Sequence, residues 1–203
     1  MEAVVNKIEL DTKEKILSYL KSTTKEFIES LSSFSDQQVN ISLEESWTAG
    51  QVAEHVLKSE TGLSKLLTGK TGLTDRRPDE KNDIIESTFL DFSVKMKSPD
   101  FIIPSDGPHN KDLLLQKFSS LRHQLIELVD DLDLSPTCYD FSLPGLGELT
   151  RLEWLCFIIC HSTRHIRHLH QAGNRQGSIS MTRFSPQGLA RRIALSRSRR
   201  KWI

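Results

Sequence analysis

The sequence predicts an all-α protein with four long helices. Apolar residues recur at steps of three and four in four separate segments, which is the period of an amphipathic helix. Two of these segments begin with residues that fit a helix capping box. The 203 residues are enough for one domain with a substantial core, and no internal repeat of solenoid length is present.

The first two helices are predicted from their apolar spacing and their N-terminal residues. The first covers residues 11–34, with Asp11 as its expected N-cap. The second starts after Thr48, which fits a capping box with Gln51, and is expected to continue to about Leu67. We therefore expect both helices to present an apolar face to a common core.

The middle of the chain is less regular. Residues 83–96 predict a shorter helix, and residues 98–109 contain three prolines and one glycine, which is typical of a loop. Residues 110–132 carry leucine and phenylalanine at helical spacing and predict the third long helix.

The fourth long helix begins in the same way as the second. Thr150 and Glu153 fit a capping box, and the helix is predicted to run to about Gln171 with Gly173 as its C′ residue. Its inward stripe begins with apolar residues and continues with histidines. The members of this stripe are Trp154, Ile158, His161, His165 and His168.

The histidines are the candidate functional residues. His161, His165 and His168 are spaced by four and three, so they share one helix face, whereas His170 faces elsewhere. His55 is the other histidine on an inward stripe, here on the second helix. Burying unpaired imidazoles on apolar faces costs free energy, whereas three converging imidazoles can hold a divalent metal with a coordination position left open.

His55, His161 and His165 are therefore the predicted metal ligands, and His168 is an additional candidate for the site. The cofactor would be one divalent ion, and imidazole ligands suit zinc, nickel, iron or manganese. The alternative is that the histidines have no metal. A pair of histidines four residues apart is often a surface coincidence, and a lone inward histidine such as His55 is more often a core residue than a ligand.

The charge distribution separates the last thirty residues from the rest. Residues 174–203 contain eight Arg and Lys and no acidic residue, so residues 1–173 carry 19 basic against 27 acidic groups. An acidic body argues against a nucleic-acid-binding core. We therefore predict a domain over residues 1–173 and a flexible basic tail over residues 174–203, which is itself a candidate arm for nucleic acid or an anionic membrane.

The cysteines and the hydropathy bear on the compartment. Cys138, Cys156 and Cys160 form no CxxC motif and are odd in number, which suits a reducing compartment. No stretch approaches the length of a membrane span, and the N-terminus lacks the apolar run of a signal peptide. These observations predict a soluble cytoplasmic protein.

Two motifs resemble the DinB-like superfamily, which includes YfiT. The first is Ser46-Trp47-Thr48 followed by His55. The second is Leu146-Gly-Glu-Leu-Thr150, then Glu153, followed by His161-x-x-Arg164-His165. The resemblance covers residues 10–173.

This resemblance implies a four-helix bundle with a long crossover connection and a three-histidine metal site at one end. Matched position by position, the implied ligands are His55, His161 and His165. Many relatives have glutamine where this chain has His168, so a fourth ligand or an altered pocket stays open. The implied activities are those of a metal-dependent hydrolase or of a transferase that uses a low-molecular-weight thiol. The resemblance also makes a small-molecule substrate and a homodimer plausible expectations, and the alternative is a non-catalytic stress or binding protein.

Overall fold

Six α-helices make up most of the structure, a computed structural model that describes residues 10–42 and 46–183, with side chains up to residue 176. The helices are α1 (Lys13–Ser32), α2 (Ala49–Glu60), α3 (Leu63–Thr68), α4 (Asn82–Phe89), α5 (Lys111–Asp131) and α6 (Arg151–Arg183). Two strands of two residues each, β1 (Thr71–Gly72) and β2 (Thr137–Cys138), pair antiparallel. The prediction of an all-α protein is confirmed.

The long helices form a bundle. α1 and α2 both pack against α5 and α6, and the short α3 continues the α2 side of the bundle against α5. α4 packs on the outside of α6 and belongs to the long connection between α3 and α5, residues 69–110. The four-helix bundle is thus confirmed, and residues of α6 belong to both clusters of the hydrophobic core.

The predicted second helix is interrupted where the sequence suggested continuity. Thr61 leaves the helical conformation, and Gly62 has a φ of 92°, a value that L side chains rarely adopt. The chain therefore bends between α2 and α3, and the prediction of one helix to Leu67 is wrong in this respect.

The ends of two other helices also differ from the prediction. The Thr12 side chain, and not Asp11, accepts the backbone N–H of Lys15 and caps α1, while the Asp11 carboxylate lies 2.9 Å from the Lys15 ammonium. The helix predicted for residues 83–96 starts at Asn82 and ends at Phe89, so the prediction was too long at its C-terminal end.

The C-terminal helix is longer than predicted. α6 passes through Gly173 and continues to Arg183, so Gly173 is not its C′ residue. After Gly173 the helix still packs on the bundle: Gln176 is buried and its side-chain amide donates to the Gln38 backbone carbonyl at 3.1 Å. Residues 184–203, the greater part of the predicted basic tail, lie outside the described residues, so the flexibility of the tail and the domain boundary remain predictions. None of the described helices is both long and apolar enough to cross a bilayer.

Candidate metal centre

The first candidate ligand is positioned by the start of α2. Thr48 Oγ1 accepts the Gln51 backbone N–H at 3.1 Å, and Gln51 Oε1 accepts the Thr48 N–H at 3.0 Å. This reciprocal pair is the predicted capping box, and it fixes where the helix begins. His55 follows one turn after Gln51 and is turned into the bundle, where only 2% of its surface is exposed.

The other two candidates are positioned by the start of α6. Thr150 Oγ1 accepts the Glu153 N–H at 3.1 Å, and Glu153 Oε2 accepts the Thr150 N–H at 2.9 Å, which confirms the second capping box. His161 and His165 lie two and three turns further along α6, and both are buried. Because they are four residues apart, they project from one face of the helix.

The three imidazoles meet in the bundle interior. His161 Nε2 lies 3.1 Å from His55 Nε2 and 3.1 Å from His165 Nε2. Three nitrogens that each lie about 2.0–2.1 Å from one metal ion are separated by roughly 2.8–3.4 Å, so these distances fit a shared ion. In the part of the chain that the structure describes, these histidines form the one group of three or more His, Cys, Asp or Glu residues with ligand atoms within 4.8 Å of one another.

The hydrogen bond of His55 identifies its tautomer. His55 Nδ1 lies 3.0 Å from the Ile102 carbonyl oxygen, and a carbonyl only accepts, so Nδ1 carries the proton. Nε2 of His55 is therefore unprotonated, and its lone pair faces Nε2 of His161. Nδ1 of His161 and Nδ1 of His165 are buried and have no hydrogen-bond partner among the described residues. With their protons on Nδ1, all three rings would offer an Nε2 lone pair to one cation, so the donor set fits a metal ion.

The electrostatic surroundings keep the three rings neutral. Burial lowers the pKa of His55, although its bond to Ile102 acts in the opposite direction. Burial lowers the pKa of His161 and His165 well below the usual value, and the neighbouring histidines and the guanidinium of Arg164 lower it further. Neutral imidazole is the form that binds a metal, so no proton has to be removed at neutral pH.

Sequence comparison places this arrangement in a known family. The sequence model of the DinB superfamily matches residues 19–169, which is about three quarters of the chain and includes all three histidines. The chain belongs to the DinB superfamily. The resemblance stated from the two motifs is therefore confirmed. None of the curated proteins compared with this chain matches it.

Two solved structures are similar to this DinB-superfamily chain. The first, YfiT from Bacillus subtilis, is described as a probable metal-dependent hydrolase with an unusual four-helix bundle topology; it is 15% identical, with a TM-score of 0.56 over 85% of this chain and 91% of YfiT. The second is the colibactin self-resistance protein ClbS in complex with a dsDNA, at 14% identity and a TM-score of 0.44 over 82% of this chain and 96% of ClbS. The likeness to YfiT supports the DinB bundle as the fold.

The DinB cluster is closed by aromatic rings and by the connection between α3 and α5. Phe157 stacks on His161, with ring centroids 5.4 Å apart and planes inclined by 27°. The Trp47 ring centroid lies 4.9 Å from that of His55, and the Phe89 centroid lies 6.1 Å from that of His161. Two surface depressions, of about 390 and 500 Å³, lie elsewhere and are lined by none of the three histidines.

The other two histidines of α6 lie outside the cluster. His168 is half-buried with its ring centroid 5.2 Å from that of His165, and its ligand atoms are not within the three-histidine group. Burial lowers the pKa of His168, so it too is neutral. His170 Nε2 lies 2.8 Å from Ser30 Oγ, which agrees with the prediction that it faces elsewhere.

The three cysteines belong to the hydrophobic core. All three cysteines are free and buried. The hydrogen bond with Cys160 and burial raise the pKa of the Cys156 thiol, which keeps it in the unreactive protonated form. Cys156 is therefore a core residue.

Arg164 lies between His161 and His165 in the sequence and binds backbone carbonyl groups at the end of α4 and just after it. Nothing in the sequence indicated this contact. It is 6% exposed, and its guanidinium donates to the carbonyl oxygens of Phe89, Asp91 and Val94. These carbonyls belong to the last residue of α4 and to the segment after it, so Arg164 holds the segment that carries Phe89 against His161. The Arg164 guanidinium is thus paired with backbone carbonyl groups and not with a carboxylate.

A second contact holds the loop that orients His55. Glu54 Oε2 accepts the Ser105 N–H at 2.7 Å and lies 2.8 Å from His109 Nε2. Although partial burial opposes it, the hydrogen bonds from His109, Ser105 and Lys58 lower the pKa of Glu54 to about 2. Glu54 is therefore a carboxylate that fixes the loop containing Ile102, and no sequence signal marked it for this role.

Below the cluster, a buried ion pair connects three helices. The Arg122 guanidinium donates from Nε and Nη2 to the Glu60 carboxylate at 2.6 Å each, and the Ser162 hydroxyl donates to Glu60 at 3.1 Å. The side chains of Glu60 and Arg122 have no exposed surface. Arg122 lies on the leucine-rich face of α5, where the apolar pattern gave no indication of a charge.

Proposed function

We propose that this DinB-superfamily chain binds one divalent metal ion through Nε2 of His55, His161 and His165 and acts as a metal-dependent enzyme. The observation that carries the proposal is the pair of 3.1 Å separations between the Nε2 atoms of three buried, neutral imidazoles. Imidazole nitrogens suit zinc, nickel, iron and manganese, and three protein ligands leave room for a further ligand.

When bound, such an ion would supply Lewis acidity, which polarises a substrate or acidifies water or a thiol. The residues of the chain do the rest. Ile102 directs the His55 lone pair, and Phe157 and Trp47 exclude water from the rings. We propose hydrolysis of a small molecule or transfer to a low-molecular-weight thiol as the reaction, with His168 at the edge of the site. The homodimer and the cytoplasmic location remain predictions.

Metal binding is tested on matched histidine variants. The metal-free full chain is titrated with zinc, nickel, iron(II) and manganese, and bound metal is measured by elemental analysis after desalting. We expect one ion per chain in the wild type and in His123→Ala, whose imidazole is exposed on α5. We expect no retained ion in His55→Ala or His161→Ala. Equal retention in His161→Ala and His123→Ala would contradict the ligand assignment.

A non-catalytic bundle is the second candidate, and one observation favours it. The three imidazoles are only 2%, 5% and 6% exposed. A substrate therefore does not reach them unless the cover moves, that is, the connection between α3 and α5 (residues 69–110) that closes the cluster. The metal-loaded protein is assayed for hydrolysis of 4-nitrophenyl acetate and for conjugation of glutathione to 1-chloro-2,4-dinitrobenzene. Turnover that is lost in His161→Ala but kept in His123→Ala supports the enzyme. Metal binding without turnover above that of His161→Ala for either substrate supports the non-catalytic bundle.

A further inference from the structure

We propose that Phe101, Phe141 and Trp154 form a binding site for a neutral aromatic molecule that carries a hydrogen-bond acceptor. The inference deepens the proposed function by naming a substrate class, and only the identification of this ligand as a substrate rests on that function. The binding itself is argued from ring contacts, exposure and one unpaired donor.

The outer part of this site is an exposed aromatic pair. Phe101 is 67% exposed and Phe141 is 42% exposed, yet their ring centroids lie 6.2 Å apart at an angle of 83°. Burying apolar surface contributes roughly 25 cal/mol of favourable free energy per Å². The two exposed phenylalanine rings can therefore gain free energy by binding an apolar partner. A pair of this kind offers edge and face contacts to a third ring, which are worth about 0.5–1.5 kcal/mol beyond the buried area.

The pair is continuous with the candidate metal centre. Phe141 contacts Trp154 with ring centroids 5.9 Å apart, Trp154 contacts Phe157 at 5.8 Å, and Phe157 stacks on His161 at 5.4 Å. The residue after Phe101 is Ile102, whose carbonyl oxygen accepts the hydrogen bond from His55 Nδ1. An aromatic molecule bound to the exposed rings therefore lies at the outer end of a row of aromatic side chains. The inner end of this row is His161, one of the proposed metal-binding residues.

An independent observation indicates what else the ligand carries. Trp154 is only 3% exposed, and its indole Nε1 has no hydrogen-bond partner among the described residues. A buried N–H without an acceptor costs about 1–3 kcal/mol, and an indole nitrogen only donates. The Phe141 ring centroid lies 5.9 Å from that of Trp154. An acceptor on the ligand would satisfy the indole donor when the Phe141 ring turns aside while it keeps its contact with the ligand. The ring partners in this row are uncharged, which favours a neutral acceptor such as a carbonyl.

Acetophenone is the test ligand, because it combines an aromatic ring with a neutral carbonyl, and ethylbenzene is its counterpart without an acceptor. Dissociation constants are measured by ligand-observed NMR titration on the full chain. We expect Phe101→Ala to weaken acetophenone binding roughly threefold to tenfold through the lost ring contacts. The control Leu113→Ala removes a side chain on α5 that is 47% exposed, and it should leave the constant unchanged. Equal constants in Phe101→Ala and Leu113→Ala would overturn the site.

Trp154→Phe keeps a ring and removes the donor. The wild type should prefer acetophenone over ethylbenzene by about threefold to tenfold, and Trp154→Phe should bind both equally. An unchanged preference in Trp154→Phe would mean that the indole N–H has a water partner only, and it would overturn the acceptor requirement. Bound metal is measured on every variant. Acetophenone binding by a chain that takes up no metal would refute the proposed function and retain the site, whereas normal metal uptake without acetophenone binding would refute the site alone.

Discussion

Arg122→Met is expected to destabilise the bundle strongly, because it leaves the Glu60 carboxyl group unpaired in the core. In the wild type, two hydrogen bonds of 2.6 Å join the side chains, and neither side chain has exposed surface. Removing one partner of such a pair costs about 3–5 kcal/mol, whereas replacing both with apolar residues is often neutral or stabilising. For a chain of this length, the single variant should melt roughly 6–20 °C below the wild type.

The pH dependence of this variant has a definite sign. Burial raises the pKa of Glu60, and Arg122 and Ser162 oppose that shift. Without Arg122 the folded-state pKa rises further, so the folded carboxyl stays protonated at pH values at which the unfolded one, with a pKa of about 4.3, is ionised. Stability is then fully present below the unfolded pKa and is lost as pH rises toward the folded pKa. The free-energy difference between Arg122→Met and wild type should therefore grow above about pH 5.

Urea unfolding followed by circular dichroism at pH 5 and pH 8 measures these quantities in the wild type, Arg122→Met and Arg122→Met/Glu60→Leu. The double variant should be at least about 2 kcal/mol more stable than Arg122→Met at pH 8, because no unpaired acid remains in the core. The reasoning fails if Arg122→Met costs less than about 1 kcal/mol, or if its cost is the same at both pH values. Either result would mean that water reaches Glu60 in the folded protein.

Three further predictions concern the contacts around the cluster. Gly50→Ala should lower the free energy of unfolding in urea by about 1–3 kcal/mol, because the new Cβ would lie 2.6 Å from His109 Cβ. In the control Gly107→Ala the new Cβ meets nothing within 4 Å, so the loss of stability should be far smaller. Equal losses would count against close packing of the loop on α2. Glu153→Gln should lower the free energy of unfolding by roughly 2–3 kcal/mol, because this buried carboxylate accepts hydrogen bonds from Arg76, Lys81 and Thr150. Glu148 is exposed, so the control Glu148→Gln should stay within about 0.5 kcal/mol of the wild type. Arg164→Met should increase the rate of amide hydrogen exchange selectively in residues 89–94. The surface variant Arg77→Met is the control. If exchange in residues 89–94 is no faster in Arg164→Met than in Arg77→Met, the guanidinium does not hold this segment.

Local signals predicted the parts of the fold and site that local physics controls. The capping boxes at Thr48 and Thr150 fix where α2 and α6 begin, and a helix with a known start has a known register. That register is sufficient to direct His55 and His161 inward from different helices. Their convergence then follows from the packing of α2 on α6, which the family resemblance supplied.

The rest depended on contacts between residues distant in the sequence. Arg122 reads as one cation among leucines, and only the fold shows that Glu60 is buried opposite it. Gly173 is a good residue to end a helix, yet α6 continues through it because Gln176 gains a partner in the turn after α1. The positive φ of Gly62 likewise becomes apparent only when α3 has a surface on α5 to pack against. Spacing within one segment carries no information on any of these partners.

The structure distributes stability unevenly around the cluster, and this bears on how a substrate would reach it. The candidate ligands project from α2 and α6. The Glu60–Arg122 pair joins α2 to α5, Ser162 of α6 donates to Glu60, and breaking the ion pair costs about 3–5 kcal/mol. The connection that covers the cluster is attached differently. Its Ile102 segment is held by several separate hydrogen bonds, among them those from Lys58 to Ile103 and from Ser105 to Glu54. Most of these bonds join exposed groups, which water can take over one at a time, and each contributes about 0.5–3 kcal/mol. The connection between α3 and α5 is therefore the side that opens at the lower cost. We infer that access occurs there, with the imidazoles held in place while the cover moves.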